Sequence, residues 1–167
     1  MQSKTDREWY KKLSSKEKKT YRDFYNKKNQ KIPKVKKPIP VGIAVDASAV
    51  PNPGFVEFRA VDIQSGKILF NTQIGFSSNN VGEYCAIVQA IIYCENIGKR
   101  LTIWTDSRCA LAWIKNKKTK SKVKSCPDAT ALLKECEMYV SKMKHIPRVK
   151  FWDKKLYGEI PAEYGRK

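Results

Sequence analysis

At 167 residues the chain has room for one domain and a modest extension, and 41% hydrophobic residues suffice for a packed core. Lys and Arg number 34 against 16 Asp and Glu, a formal charge of +18, which implies a polyanionic partner, nucleic acid or an anionic membrane surface. No apolar run reaches the roughly 18 residues of a membrane span, and no signal-peptide core follows the basic segment 1–12. A cytoplasmic protein without a membrane partner is therefore expected. The five cysteines (Cys85, Cys94, Cys109, Cys126, Cys136) are odd in number, lack CxxC spacing and accompany a single histidine, His145. That pattern speaks against a zinc site, a disulfide framework or a thiol nucleophile.

Residues 1–38 read as a basic helical extension and linker, with fourteen Lys/Arg against four Asp/Glu. "TDRE" at 5–8 and "SSKE" at 14–17 are capping boxes, with Thr5 and Ser14 as caps and Glu8 and Glu17 reaching back. The two short helices would carry Trp9, Tyr10, Leu13, Tyr21, Phe24 and Tyr25. "KIPKVKKPIP" follows as an extended linker. From residue 39 a mixed α/β domain is expected. "VGIAV" (41–45) is a buried strand with Asp46 at its end and a Pro-Asn-Pro-Gly turn beyond. "VEFRA" (56–60) alternates, "QSG" (64–66) turns, and "KILFNTQIG" alternates again. A helix runs from about Asn80 to Gly98; "LTIWT" (101–105) is a strand and "SRCALAWIKN" a helix. A longer helix spans about Pro127 to Met143, and "RVKFW" (148–152) is the last strand before a short helical tail. The order β-β-β-α-β-α-α-β predicts a mixed sheet with helices on its faces.

Four acids align with this order. Asp46 and Asp106 end apolar strands, Glu83 stands in the first turn of the "NNVGEY" helix, and Glu163 follows the last strand. In a sheet with parallel central strands such positions gather on one edge. Four carboxylates there repel one another unless divalent cations share them. Hard oxygen ligands without His or Cys suit Mg²⁺ or Mn²⁺, the ions of two-metal phosphodiester hydrolysis. Each acid also has a plainer role. Asp106 could cap the next helix, Glu83 could close a capping box with Asn80, and Glu163 could be a surface acid.

The motifs "VDAS…NPG" (45–54), "SSNNVGEY" (77–84), "WTDSRCALAWI" (104–114) and "GEIPAEYGRK" (158–167) occur in order. On these the chain resembles the type 1 ribonuclease H family over residues 40–167, and most of all a bacterial branch with "NNVGE" and "GEIPAD"-type motifs. The resemblance implies a ribonuclease H-like α/β fold, a five-stranded mixed sheet with helices on both faces, occupying 39–167. It implies that Asp46 is shared by two Mg²⁺ ions, that Glu83 and Asp106 complete the leaving-group side, and that Glu163 serves the water-activating side. Mn²⁺ is the expected substitute. The implied substrate is an RNA–DNA hybrid, cut in its RNA strand to leave 5′-phosphate and 3′-hydroxyl ends by a monomeric enzyme. Such an enzyme reads 2′-hydroxyls in a wide minor groove. Ser48, Asn52, Ser78, Asn79, Asn80 and Arg108 stand where family members touch the hybrid, although Asn and Ser also populate turns on their own account. Asn79 and Asn80 are the favoured contacts.

Lys115, Lys117, Lys118, Lys120, Lys122 and Lys124 crowd a stretch without an acid. Some relatives grip the DNA strand with a basic protrusion there, and Lys117 and Lys118 are taken as phosphate contacts. Three features depart from the family: the loop "DKKLYGEIPA" has no histidine, the fourth acid is Glu where Asp is usual, and residues 1–38 lack the Gly- and aromatic-rich pattern of a hybrid-binding domain. In the loop, Lys154 and Lys155 are the candidates for phosphate contact. Two other functions compete, a catalytically impaired binding module on this fold and a DNA-cutting relative of the integrase or resolvase kind. Retention of all four acids argues against the first, and the joint "NNVGE" and "GEIPA" pattern against the second.

Overall fold

The structure, a computed structural model, describes residues 14–20 and 38–165. The chain divides into two compact units, Met1–Lys36 and Lys37–Lys167. Within the first, residues 15–20 are helical, and the predicted box stands at their start. Ser14 N donates to Glu17 Oε2 at 2.8 Å and Glu17 N donates to Ser14 Oγ at 3.3 Å, each side chain satisfying the other residue's free amide. The Thr5–Glu8 box, the aromatic residues of the extension and most of the Pro-rich linker lie outside the described residues.

The second unit holds β1 (Ile43–Ala49), β2 (Gly54–Asp62), β3 (Ile68–Ser77), α1 (Asn79–Asn96), β4 (Ile103–Thr105), α2 (Arg108–Asn116), α3 (Pro127–Lys142), β5 (Val149–Phe151) and the one-turn α4 (Lys154–Tyr157). The strands form one sheet in the order β3-β2-β1-β4-β5, antiparallel on the hairpin side and parallel between β1, β4 and β5. This is the five-stranded mixed sheet that the sequence predicts. Strand side chains alternate between faces. Ile43, Val45, Ala47, Val56, Phe58 and Ala60 point to the face on which α1, α2 and α3 pack, and they bury the larger core with Tyr84, Ile87, Ile91, Ile114 and Val140. Ala44 and Val61 point to the opposite face, where Ile63, Trp152, Ile160 and Ala162 cover them. Both faces are covered, one by three helices and the other by α4 and the C-terminal segment.

Three local expectations are revised. The apolar run stops at Asp46, but β1 continues to Ala49, because β2 folds back beside it and pairs Ser48 with Glu57 and Ala49 with Val56. What ends early is the parallel ladder with β4, which stops at Ala44 and Trp104. Helix α1 begins at Asn79 with Ser78 as cap, so Glu83 is the fifth helical residue and no partner of an Asn80 box. Helix α2 is capped by Ser107, whose Oγ accepts from Ala110 N, which removes the capping role from Asp106. Gly98 ends α1 at φ 64, with Gly98 N donating to Glu95 O and Lys99 N to Cys94 O. Gly82 has a different reason to be glycine: a Cβ there would lie 2.5 Å from Val56 Cγ1 and 2.9 Å from Ala47 Cβ. The first turn of α1 therefore rests directly on β1 and β2.

Candidate metal centre

That close approach delivers Glu83 to the sheet. Asp46 from β1, Glu83 from the first turns of α1 and Asp106 from the β4–α2 junction each offer a carboxylate oxygen, and these oxygens all lie within 4.8 Å of one another. Asp46 and Glu83 are buried, at 6% and 4% exposure, while Asp106 is half-buried. Thr105 Oγ1 donates to Glu83 Oε2 at 3.5 Å and Asn79 Nδ2 to Glu83 Oε1 at 3.4 Å, fixing the carboxyl from two sides.

Burial, followed by the charges of Asp106 and Glu163, pushes Asp46 up to about 7. Burial, then Asp46 and Asp106, pushes Glu83 well above the usual carboxylate range. Each additional negative charge opposes ionisation of the next. Among the described residues no ion pair reaches Asp46 or Glu83. Three convergent hard oxygens without nitrogen or sulfur fit a hard divalent cation, and charge balance favours one.

Glu163 lines the same cleft, of about 280 Å³, but stands outside the group of three. Its carboxylate pairs with Lys154 Nζ at 3.1 Å, and the same ammonium reaches Asp106 at 2.9 Å and Glu159 at 2.8 Å. The bond with Glu159, followed by those to Asp106 and Glu163, raises the Lys154 pKa. The Glu163 backbone is held from the sheet. Arg59 Nε donates to Ala162 O at 2.8 Å and Arg59 Nη2 donates to Glu163 O, while the guanidinium stacks 4.3 Å from the Tyr164 ring centroid. Tyr164 Oη in turn donates to Asn71 Oδ1 at 2.7 Å.

The other predicted contacts separate. Ser48, Asn52 and Asn79 line the cleft with the acids. Asn52 also accepts from Asn79 N at 3.0 Å, so the Pro-Asn-Pro-Gly turn caps α1 where Ser78 supplies no side-chain cap. Ser78 is buried, and its Oγ has no hydrogen-bond partner. Asn80 is exposed on the first turn of α1. Arg108 is exposed, with its guanidinium 4.3 Å from the Phe151 ring centroid. Lys117 is the left-handed cap of α2 at φ 51, and its ammonium donates to Met143 O. Lys118, Lys120, Lys122 and Lys124 are exposed in the following loop. That stretch, acid-free in sequence, borrows an acid in space: Glu137 of α3 accepts from Thr119 N at 3.3 Å and from Thr119 Oγ1.

Arg59 escapes the sequence reading because it occupies an ordinary outward position of an alternating strand. The one available signal is register, since a hairpin of this length sets Arg59 opposite Asp46. From sequence Lys154 reads only as a phosphate candidate, as nothing in "WDKKLYGEIPAEYG" announces that it turns toward Asp106.

No family model matches the chain. Among solved structures it is similar to RNase H1 of Halobacterium salinarum NRC-1, at 18% identity over 73% of this chain and 92% of that one, TM-score 0.47. It is also similar to LC11-RNase H1, isolated from compost by a metagenomic approach, at 20% identity over 69% and 84%, TM-score 0.44. The same protein in complex with an RNA/DNA hybrid matches at 23% identity over 66% and 81%, TM-score 0.39. At these identities and scores the likenesses say nothing about this chain's activity or partners. The ribonuclease H-like class is legible in this chain's own strand order and connections.

Proposed function

We propose that the protein is a metal-dependent endoribonuclease that hydrolyses the RNA strand of RNA–DNA hybrids, leaving 5′-phosphate and 3′-hydroxyl ends. One observation carries the reading: Asp46, Glu83 and Asp106, far apart in sequence, bring carboxylate oxygens within 4.8 Å of one another in a polar cleft. Bound Mg²⁺, or Mn²⁺ in its place, supplies charge stabilisation at the phosphate and a reactive water. Asp46, Glu83 and Asp106 would hold one ion, and Asp46 with Glu163 would hold the second. β1, which carries Asp46, and the close seating of the first turn of α1 on β1 and β2 at Gly82 position the inner acids. Ser48, Asn52 and Asn79 offer short donors and acceptors along the cleft, suited to 2′-hydroxyls of a shallow minor groove. Asn80, Arg108, Lys117 and Lys118 extend the contact surface, with the lysines on phosphates, while Ser78 is buried at the head of α1 and does not reach it.

The charge of +18 supports a nucleic-acid partner over an uncharged one. Among the described residues no helix is long and apolar enough to cross a membrane. The decisive experiment incubates the purified full-length protein with labelled RNA–DNA hybrid, duplex RNA and duplex DNA, first with Mg²⁺ and then with Mn²⁺. Cleavage confined to the RNA strand of the hybrid is expected. Tight hybrid binding without cleavage under either ion overturns the reading in favour of an impaired binding module. The position of Glu163 outside the group of three is what favours that second reading.

A further inference from the structure

The four acids are not served alike. Lys154 Nζ lies 2.9 Å from Asp106, 2.8 Å from Glu159 and 3.1 Å from Glu163, so its three N–H donors face three carboxylates. The inner pair, Asp46 and Glu83, has no cation within ion-pair distance among the described residues. The lysine is delivered by construction. Trp152 is buried, and its Nε1 donates to Gly158 O at 2.9 Å, closing the segment 152–158 into a short loop. Asp153 Oδ1 accepts from Lys155 N at 2.9 Å and sets the start of α4, where Lys154 leaves the backbone. Tyr157 packs against Trp152 and Trp104 and holds the far end of that turn.

We propose that Lys154 is the resident cation of the Glu163 side of the centre, so that in the free protein a divalent ion enters the Asp46–Glu83–Asp106 side readily and the Glu163 side only as the ammonium leaves. The inference rests on the metal-dependent reading above and deepens it. An ammonium and a divalent ion cannot share the Asp106–Glu163 gap, since both need the same oxygens and repel at that distance. Lysine suits a displaceable occupant better than arginine would: its charge is compact, its stem flexible and its hydration strong. The Lys154 side chain is 39% exposed, so solvent reaches it. Glu159 is 57% exposed and lies outside the cleft lining, where it gives the ammonium a partner after Asp106 and Glu163 turn to an ion. A substrate phosphate entering the cleft favours the exchange, as it brings negative charge that both cations can answer.

The test is calorimetric titration of Mn²⁺ into the metal-free full-length protein, its Lys154→Met and Lys154→Gln variants, and Lys67→Met as a control for losing an exposed charge in the β2–β3 turn. Circular dichroism identifies which variants are folded. The parent and Lys67→Met should take up one ion tightly and a second weakly or not at all. Either folded Lys154 variant should bind the second ion at least about tenfold more tightly, with the first changed little. Parent-like binding of both ions in a folded Lys154 variant overturns the role of Lys154 and leaves the metal centre standing. No Mn²⁺ uptake by any folded protein overturns the metal centre itself, and this inference with it.

Discussion

The two faces of the sheet are covered by different means, and the acids divide along the same line. On one face three helices of 18, 9 and 16 residues bury a large apolar cluster that includes the strand residues flanking Asp46. Asp46, Glu83 and Asp106 are mounted on, or directly adjoin, elements seated in that core. On the other face the cover is the tail, in which Trp152, Ile160 and Ala162 bury against Ala44 and Val61, and Glu163 follows one residue later. The first three acids are held by packing of many side chains; the fourth stands in a segment held by a few polar contacts, from Arg59 and Lys154 and between Tyr164 and Asn71. The result is an inner triad seated in the core and an outer acid on a more exposed segment.

The largest expected effect falls on the inner triad. Asp46→Asn should lower hybrid cleavage by at least about a thousandfold, since an amide does not replace a shared anionic ligand. The metal-free variant should melt above the parent, because burial and two neighbouring acids disfavour the ionised Asp46. Retained cleavage in the purified variant would remove the shared-ligand role from this residue.

Next comes the outer acid. Glu163→Gln should reduce the rate by several orders of magnitude, whereas Glu163→Asp should keep or raise it with Mg²⁺. The tail can shift to accommodate a ligand shorter by one methylene, and Mg²⁺ is strict about geometry. Equal rates for the parent and Glu163→Gln would mean that this acid binds no ion.

Arg59 should give a smaller loss, and of a kind that separates the two faces. Arg59→Met should lower turnover about 10- to 100-fold, as removing the support of a ligand does elsewhere. Mn²⁺ uptake at the inner triad should be unchanged by calorimetry, and Arg59→Lys should restore little, since one ammonium cannot reproduce the two-carbonyl fork and the stack on Tyr164. Weakened binding of the first ion would show that the tail also holds the triad.

The smallest effect is one of stability. Asp46 and Glu83 have folded-state pKa values raised above those of an unfolded chain. Between about pH 4 and pH 7 the folded protein keeps protons that the unfolded chain has released, so metal-free stability falls as pH rises through that window. The melting temperature in EDTA should drop by several degrees from pH 5 to pH 8, Asp46→Asn should flatten the slope, and Mg²⁺ should abolish it at pH 8. A melting temperature independent of pH in the metal-free parent contradicts the mutual repulsion on which the triad reading depends.

Much of this architecture is legible in local sequence. Alternation in "VEFRA" and "KILFNTQIG", the Gly98 stop and Pro127 at the head of α3 are local effects of side-chain period and backbone freedom, and local effects survive into the fold. Asp46 is likewise visible, because an acid at the end of an apolar strand has few reasons to be there, whereas Glu83 and Asp106 each also read as helix caps and stand out only in combination. Boundaries were less legible. β1 outruns its apolar segment because β2 supplies the pairing, and α1 starts at Asn79, whose backbone amide is capped by Asn52, 27 positions away.

What the sequence determined by itself was the set of parts: which segments are strands or helices, which acids stand at strand ends and helix starts, and a large surplus of positive charge. Only the tertiary structure decided how the acids are shared out. Lys154 lies 48 positions after Asp106 and nine before Glu163, yet its ammonium joins both, and Arg59 reaches the carbonyl of Ala162 across a separation of 103 positions. Contacts of that span carry no periodicity and no local motif. They follow from which strand faces which tail, and this is settled only when the sheet closes and both its faces are covered.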